Sequence, residues 1–217
     1  MSRNVLISGY EVFGNNTMNP SLELIHCLDG EVIDGRRICT VEVPVNRHTC
    51  FETMEKAIKA YQPELIICTG LADGRTGISI ERTAVNVADF PVPDNAGYLA
   101  LNETLEEGGP AAYFATIPIR NIMTAIREEG IPAYISNTAG TYCCNLLMYR
   151  TLHYISKNNL GIPAGMIHLP FLPQMAADMN MVPASMDLTH MVDAIKTAVH
   201  TALADPLDRA VICGACQ

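Results

Sequence analysis

Short apolar runs and helix-like patterns alternate along this chain. Six runs are strand-like, and several of them are continuously apolar, as is typical of strands covered on both faces: residues 5–8, 38–43, 65–69, 80–87, 133–136 and 165–169. Five further segments carry apolar residues at helical spacing: residues 21–28, 49–61, 121–129, 145–155 and 185–203. Strands that alternate with helices predict a three-layer α/β/α sandwich around a largely parallel, mixed sheet.

Two local signals refine this prediction. Pro20 precedes the first helical segment and Ser185 is the expected N-cap of the last one, since proline favours the first helical position and serine favours the cap. In open α/β sheets, functional sites gather at the carboxyl ends of the strands. Functional side chains are therefore expected where the apolar runs stop.

Composition narrows the class of protein. With 217 residues and no linker-like stretch, the chain is predicted to form one domain, residues 1–217, with a disordered tail after about residue 205. The net charge of −9 disfavours nucleic acid and anionic membranes as partners. No apolar stretch approaches the length of a membrane span, and no signal-peptide core is present, so we expect a soluble, cytoplasmic protein.

The apolar content and the cysteine spacing predict two further properties, subunit assembly and reduced thiols. Charged residues make up only 17% of the chain and apolar residues 49%, which favours a surface partly covered by other subunits. The eight cysteines are irregularly spaced and are predicted to be thiols, not disulfides.

One segment points to catalysis. Cys143 and Cys144 follow a Gly-Thr turn and begin an apolar helical run, and the first turn of a helix favours thiolate over thiol. His168 and Glu81 each interrupt an apolar strand-like run. Cysteine, histidine and an acid are the parts of an activated-nucleophile site. From the residues alone, composition does not choose between the two cysteines, His168 could be a structural histidine, and Glu81 could simply pair with Arg82.

Other conspicuous residues favour ordinary structural interpretations. Four cysteines within apolar patterns are interpreted as small buried residues, and five histidines as surface or half-buried residues on helical segments: Cys27, Cys39, Cys50 and Cys68, and His26, His48, His153, His190 and His200. The pair Cys213 and Cys216 is too isolated to indicate a metal or redox site. The glycine-rich segment 70–75 lacks the ending of a phosphate-binding loop and is interpreted as a turn.

Several segments together resemble the pyroglutamyl peptidase I (pyrrolidone-carboxylate peptidase) family of cysteine peptidases. They occur in the family order and span most of the chain: residues 5–14, 19–21, 70–76, 80–86, 93–95, 109–114, 136–145 and 168–173. The resemblance implies hydrolysis of the amide bond after an N-terminal L-pyroglutamyl residue of peptides, through a Cys-His-Glu triad and a thioester. It also implies no cofactor, no metal, and a homo-oligomer, by family habit a tetramer.

The resemblance assigns roles residue by residue. In the family the nucleophile directly precedes an asparagine, which makes it Cys144, with His168 as the acid that protonates the leaving amine and Glu81 as the residue that orients His168. The implied substrate-binding residues are Tyr10, Phe13, Leu71 through its backbone carbonyl, Tyr142, and Cys143 through its backbone N–H.

Three departures from the family pattern matter. Tyr10 stands where phenylalanine is common, Leu146 where histidine is common, and Pro91 where the family has an arginine near the substrate carbonyl. Proline offers neither charge nor an N–H donor. The alternative is therefore a catalytically impaired relative that binds pyroglutamyl or other N-blocked peptides. A thiol redox protein that uses Cys143 and Cys144, or the C-terminal pair Cys213 and Cys216, is a weaker third interpretation.

Overall fold

The structure is a computed structural model that describes residues 4–209. It contains eleven strands in this part of the chain: β1 (Asn4–Tyr10), β2 (Val32–Ile33), β3 (Arg36–Val43), β4 (Leu65–Leu71), β5 (Ile78–Glu81), β6 (Thr83–Val85), β7 (Val87–Ala88), β8 (Glu103–Thr104), β9 (Ala112–Phe114), β10 (Ala133–Ser136) and β11 (Ala164–Leu169). The helices of the same part are α1 (Pro20–Leu28), α2 (Cys50–Tyr61), α3 (Ile119–Glu128), α4 (Cys143–Lys157), α5 (Pro173–Ala177) and α6 (Leu188–Ala204).

A seven-stranded mixed sheet forms the centre, in the order β10-β5-β11-β4-β1-β3-β2. The pairs β11–β4, β4–β1 and β1–β3 are parallel. Strands β10 and β5 are parallel to each other, but β5 runs antiparallel to β11, and β2 runs antiparallel to β3. Two small two-stranded sheets, β6–β9 and β7–β8, lie outside the main sheet.

Helices cover both faces of the sheet. Helices α1, α3 and α6 pack together on one face, and α2 and α4 pack together on the other. Each face has its own core of buried apolar side chains, with Ile7, Ile67 and Ile167 facing the first and Leu6, Ile66 and Met166 facing the second. The side chains of consecutive strand residues therefore point into the cores on opposite faces of the sheet. Because both faces are covered, the strands are continuously apolar. The predicted single-domain, three-layer α/β fold is confirmed.

The sequence predicts a single strand over residues 80–87, and this prediction is wrong. The run divides into β5, β6 and β7, which belong to three different sheets. The break falls at Arg82, whose N–H donates to the Ser136 carbonyl while its own carbonyl accepts from the Ala115 N–H. Apolar character alone does not reveal such a change of partner strand. As a consequence Glu81 ends a strand, and that strand runs antiparallel to the strand of His168.

Every predicted helix begins one to three residues away from its predicted start, and the differences at α6 and α4 have a structural consequence. Helix α6 is capped by Asp187, whose carboxylate accepts from the Thr189 N–H, whereas Ser185 pairs with Phe171 in an isolated β-bridge. Both residue types are good caps, so only the tertiary pairing of residue 185 decides between them. Helix α4 begins at Cys143 instead of residue 145, which places Cys144 inside its first turn.

The structural cysteines and histidines mostly behave as predicted. Cys39, Cys50 and Cys68 are buried, but the prediction is wrong for Cys27, which is exposed because it lies off the buried face of α1. The five histidines are exposed or half-buried. His48 lies in the turn before α2, and the other four lie on helices.

Several expectations concern the end of the chain. Asp208 accepts hydrogen bonds from two backbone N–H groups at the start of α3, so residues up to 209 lie against that helix. Cys213 and Cys216 lie outside the described residues.

Among residues 4–209, no helix is both long enough and apolar enough to cross a membrane.

Candidate active site

The candidate site lies where three neighbouring parallel strands end. Tyr10 ends β1, Leu71 ends β4, and His168 is the penultimate residue of β11. These strands are adjacent in the order β11-β4-β1, so their carboxyl ends meet at one edge of the sheet. The candidate side chains are therefore gathered by the topology that the sequence predicted.

Gly70 marks the centre of this site. It pairs with His168 across β4 and β11. A Cβ atom at this position would lie 2.9 Å from the Cys144 Sγ, 3.5 Å from the Tyr10 Cδ2 and 3.6 Å from the His168 Cδ2. The sulfur and the imidazole thus converge on the space that the missing side chain leaves open.

The first turn of α4 holds Cys144 in place. Asn145 is fully buried. Its side-chain oxygen accepts from the Val85 N–H at 2.8 Å, and its side-chain nitrogen donates to the Val85 and Val87 carbonyls, each at 2.9 Å. On the other side, the Tyr10 hydroxyl donates to the Cys143 carbonyl at 2.7 Å. These contacts fix the helix start between β1 and the β6–β7 segment.

The two adjacent cysteines have different environments. Cys143 is 1% exposed, and burial raises the pKa of its thiol far above the usual range. It therefore stays a neutral thiol at any physiological pH. Cys144 is only partly buried and opens into two cavities. Its backbone N–H lies in the first helical turn, where N–H groups have no partner within the helix.

A buried carboxylate orients the imidazole. The His168 Nδ1 lies 2.7 Å from the Glu81 Oε1, and neither residue is exposed by more than 3%. Since a carboxylate can only accept, Nδ1 carries a proton, and Nε2, the ring atom bonded to Cδ2, faces the Cys144 side. The same Glu81 oxygen accepts from the Arg75 Nη2 at 3.2 Å.

The electrostatics of His168 favour its charged form. Burial lowers its pKa, but the charge and hydrogen bond of Cys144, followed by the hydrogen bond and charge of Glu81, outweigh that effect. Together they raise the pKa to about 9. A His168 ring that stays protonated at neutral pH can give a proton to a leaving group.

A cavity of about 360 Å³ opens on one side of Cys144, and its walls are mainly apolar and aromatic. Phe13 and Tyr142 form one wall, with ring centroids 5.4 Å apart. Phe90 supports Tyr142 from behind at 4.4 Å, and the Tyr142 hydroxyl donates to the Pro93 carbonyl at 3.1 Å. This aromatic wall is thus locked in orientation by packing and by a hydrogen bond.

A second cavity of about 880 Å³ adjoins the first. Cys144 lines both cavities, whereas His168 is among the residues that line the second one. Pro91 and Arg75 also line the second cavity.

No group of three or more histidine, cysteine, aspartate or glutamate side chains that could hold a metal ion occurs within residues 4–209.

All eight candidate residues come together at this edge of the sheet. The residues predicted to bind substrate all line the smaller cavity: Tyr10, Phe13, Leu71, Tyr142 and Cys143. One detail differs from expectation. The extra hydroxyl of Tyr10 does not sit at the cavity edge; it is buried against the Cys143 carbonyl, and burial together with the Cys144 charge raises its pKa well above 10.

Three supporting residues were missed from the sequence. Arg75 was interpreted as part of a turn, yet its guanidinium contacts Glu81 and also the Ser136 hydroxyl, at 3.2 Å. Gly70 and Asn145 stand out in the sequence only as parts of motifs. A glycine ahead of a strand end and a buried asparagine beside a nucleophile are possible signals, but each depends on contacts that are remote in sequence.

The fold and this site together define a class of protein. A three-layer α/β domain with a partly exposed helix-start cysteine beside a histidine–carboxylate pair has the arrangement that is typical of cysteine hydrolases. A family model described as pyroglutamyl peptidase matches residues 3–205. The chain belongs to the pyroglutamyl peptidase family.

Individual relatives agree over nearly the whole chain. The pyrrolidone-carboxylate peptidase of Vibrio campbellii is 38% identical over 212 residues, which are 98% of either chain. Pyrrolidone-carboxylate peptidase 1 of Caldanaerobacter subterraneus is 42% identical over 195 residues, 90% of this chain and 95% of the relative. The crystal structure of pyroglutamyl peptidase I from Bacillus amyloliquefaciens matches with a TM-score of 0.92 at 38% identity, covering 95% of this chain and 100% of that one.

Replacing Gly70 by alanine should slow the enzyme sharply while leaving the fold intact. The new methyl group would lie 2.9 Å from the Cys144 Sγ, which is too close for two such atoms, so the sulfur must leave its present position. A displacement of about 1 Å at a reacting atom costs on the order of a hundredfold in rate. The measurement is peptidase kcat beside the circular dichroism melting temperature. Unchanged kcat would show that the sulfur does not need this space.

Proposed function

We propose that this protein is a cysteine exopeptidase that hydrolyses the amide bond after an N-terminal L-pyroglutamyl residue of peptides. The observation that carries the proposal is the position of Cys144, which opens into an aromatic cavity on one side and adjoins His168 on the other. Family membership supports the same reaction. Cys144 acts as the nucleophile, His168 as the general acid and base, and Glu81 as the residue that orients His168.

The smaller cavity suits the pyroglutamyl ring. This lactam is flat and uncharged, with one N–H donor and one carbonyl acceptor, so it fits apolar and aromatic walls with a few backbone partners. The wall that Phe13 and Tyr142 form contacts one face of the ring, and the backbone carbonyl of Leu71, at the end of β4, accepts the lactam N–H. A free N-terminal amine would lose its hydration among these walls, which explains the preference for a blocked N-terminus.

The reaction runs in two stages. The Cys144 thiolate attacks the carbonyl carbon between pyroglutamate and the next residue, and backbone N–H groups of Cys143 and Cys144 hold the oxyanion. The C–N bond then breaks, and His168 gives its proton to the leaving amine, which leaves a thioester and a neutral imidazole. Water next gives a proton to His168 and attacks the thioester, which releases pyroglutamate and restores the ion pair.

Turnover of a pyroglutamyl chromogenic amide tests this function. We expect hydrolysis that requires reduced thiol, stops after iodoacetamide treatment and continues in EDTA, because the nucleophile is a thiolate and no step uses a metal. The matching amides of proline and glutamate, which keep a charged amine, should be poor substrates. Loss of activity in EDTA that zinc restores would contradict the metal-free mechanism.

The alternative function is that of a catalytically impaired relative that binds pyroglutamyl peptides. One observation, the position of Pro91, supports it. Pro91 is exposed and lines the second cavity together with Cys144 and His168, so the position of the family's arginine is close to the reaction but lacks a donor. A relative that binds pyroglutamyl peptides without cleaving them would follow if that donor were indispensable. The intact grouping of Cys144, His168 and Glu81 favours catalysis.

Replacing Pro91 by arginine should therefore raise turnover of the pyroglutamyl amide. One oxyanion donor is worth about 3–4 kcal/mol, but the two backbone N–H groups already supply part of this, so we expect a rise of about tenfold or more. The variant Pro206→Arg, at an exposed proline that lines neither cavity, is the matched control. Equal turnover in wild type and Pro91→Arg would mean that another group already fills the role.

The remaining assignments also stay proposals. We propose that the enzyme needs no cofactor, works in the cytoplasm and assembles into a homo-oligomer, by family resemblance a tetramer. Support for assembly comes from large apolar side chains that are exposed in the single chain, among them Phe114 and Met181.

A further inference from the structure

Arg75 lies in the loop between β4 and β5, and its side chain connects that loop to two strands. Its Nη2 donates to the Glu81 Oε1 and to the Ser136 Oγ, each at 3.2 Å. Its Nη1 lies 3.5 Å from the Tyr134 hydroxyl, and its guanidinium lies over the Tyr134 ring, 5.9 Å from the centroid. Tyr134 and Ser136 belong to β10, which pairs with the strand of Glu81. Several contacts therefore fix the orientation of this guanidinium.

One carboxylate oxygen of Glu81 accepts from two cationic side chains. Its Oε1 lies 2.7 Å from the His168 Nδ1 and 3.2 Å from the Arg75 Nη2. The other oxygen, Oε2, is buried and has no hydrogen-bond partner among residues 4–209. Because both nitrogens contact the same oxygen, they lie within about 6 Å of each other. The charges of Arg75, Glu81 and His168 therefore interact directly.

The proposed reaction changes the charge next to Glu81. In the resting enzyme, the imidazolium of His168 balances the carboxylate. Once His168 has given its proton to the leaving amine and Cys144 has become a thioester, both groups are neutral, while the carboxylate stays fully buried. A buried charge without a partner is costly. Arg75 still balances it at this stage, because a guanidinium keeps its proton in proteins.

We propose that Arg75 is a positioning residue of this reaction, which holds the Glu81 carboxylate in place and balances its charge while His168 is neutral. This inference rests on the proposed function and adds a residue that acts through Glu81. The burial of the pair agrees with this role. The Arg75 side chain is 26% exposed and that of Glu81 is not exposed at all, so solvent screens their interaction only in part.

The same charge also acts on the imidazole. The charged and titratable groups around the ring come from four elements and one loop: Cys144 of α4, Glu81 of β5, Tyr10 of β1, Tyr134 of β10, and Asp73 and Arg75 of the loop between β4 and β5. Cys144 and Glu81 raise the pKa of His168. A permanent cation nearby opposes them, because it disfavours the charged ring. Loss of the Arg75 charge should therefore raise this pKa, whereas loss of the Glu81 charge should lower it.

The pH profile of kcat/KM for the pyroglutamyl chromogenic amide tests this role. Arg75→Gln removes the charge but keeps an amide donor, and it should fold because Arg75 lies on a loop and is only half-buried. We expect kcat to fall by about tenfold or more with KM nearly unchanged, since the base is less well oriented. The alkaline fall should move to higher pH by about half a pH unit or more. Arg75→Lys, which keeps the charge, should keep the alkaline fall at the wild-type pH.

The control is Arg36→Gln, which breaks a remote arginine–glutamate pair of similar exposure and should behave like wild type. Wild-type kcat and an unmoved alkaline fall in folded Arg75→Gln would overturn the inference while the proposed function stands. An alkaline fall that moves to lower pH, as expected for Glu81→Gln, would overturn the charge-balancing role. A raised KM with unchanged kcat would place Arg75 in substrate binding and also overturn it. No hydrolysis by the wild type would overturn both proposals.

Discussion

Replacing Cys144 by alanine should abolish hydrolysis of pyroglutamyl amides, with a loss in kcat on the order of a millionfold, as for other acyl-transfer enzymes that lose their nucleophile. Cys144 is the partly exposed cysteine of the adjacent pair, and its sulfur converges with the His168 ring at Gly70. No other thiol is expected to take its place, because Cys50, Cys68 and Cys143 are buried and burial raises the pKa of each.

The matched control is Cys143→Val. Its side chain is buried in the apolar core beside α2, so valine should fit and leave most of the activity. Only the backbone N–H of residue 143 has a proposed role in the reaction, and valine keeps that group. An inactive Cys143→Val beside an active Cys144→Ala would reverse the assignment of the nucleophile.

Replacing Glu81 by glutamine should reduce kcat about ten-thousandfold at pH 7, as the corresponding change does in serine protease triads. The buried carboxylate is the group that accepts the Nδ1 proton of His168, at 2.7 Å. An amide cannot stabilise the imidazolium and can hold the ring in the wrong tautomer. Glu64→Gln, which breaks a half-exposed ion pair with Arg36, is the control and should keep normal activity.

The same variant should change the pH dependence. Burial lowers the pKa of His168, but Cys144 and Glu81 raise it to about 9, so the charged ring persists from neutral pH up to that value and is lost above it. Wild-type kcat/KM should therefore fall as the pH rises through about 9, because the leaving amine loses its proton donor. In Glu81→Gln one raising contribution is gone, and the fall should move to lower pH. An unmoved alkaline limb would exclude His168 as its origin.

The fold could be predicted well from the sequence because its signals are local. Continuous apolar runs are characteristic of strands buried on both faces, and β1, β4 and β11 each contain such a run. Where two local signals compete, the sequence is insufficient. Ser185 and Asp187 are both good caps, and the run containing Glu81 has no glycine or proline that would mark a break, so tertiary pairing decides both cases.

The site could be predicted only in part. The roles of Cys144, His168 and Glu81 came from a family resemblance, since each residue alone has an ordinary structural interpretation. The supporting contacts could not be predicted because they join segments that are distant in sequence. Asn145 forms a hydrogen bond with a residue 60 positions away, and the Tyr10 hydroxyl with a residue 133 positions away. Such contacts exist only once the sheet order is known.

The central claim is that Cys144 carries the acyl group during hydrolysis. The most direct measurement mixes enzyme with excess pyroglutamyl ester, a substrate with a fast-leaving group, quenches with acid, and fragments the digested protein by mass spectrometry. We expect a mass increase of one pyroglutamyl group on Cys144 in wild type, the same increase in Cys143→Val, and none in Cys144→Ala. A pyroglutamyl group found on Cys143 or on any other residue would exclude Cys144 as the nucleophile.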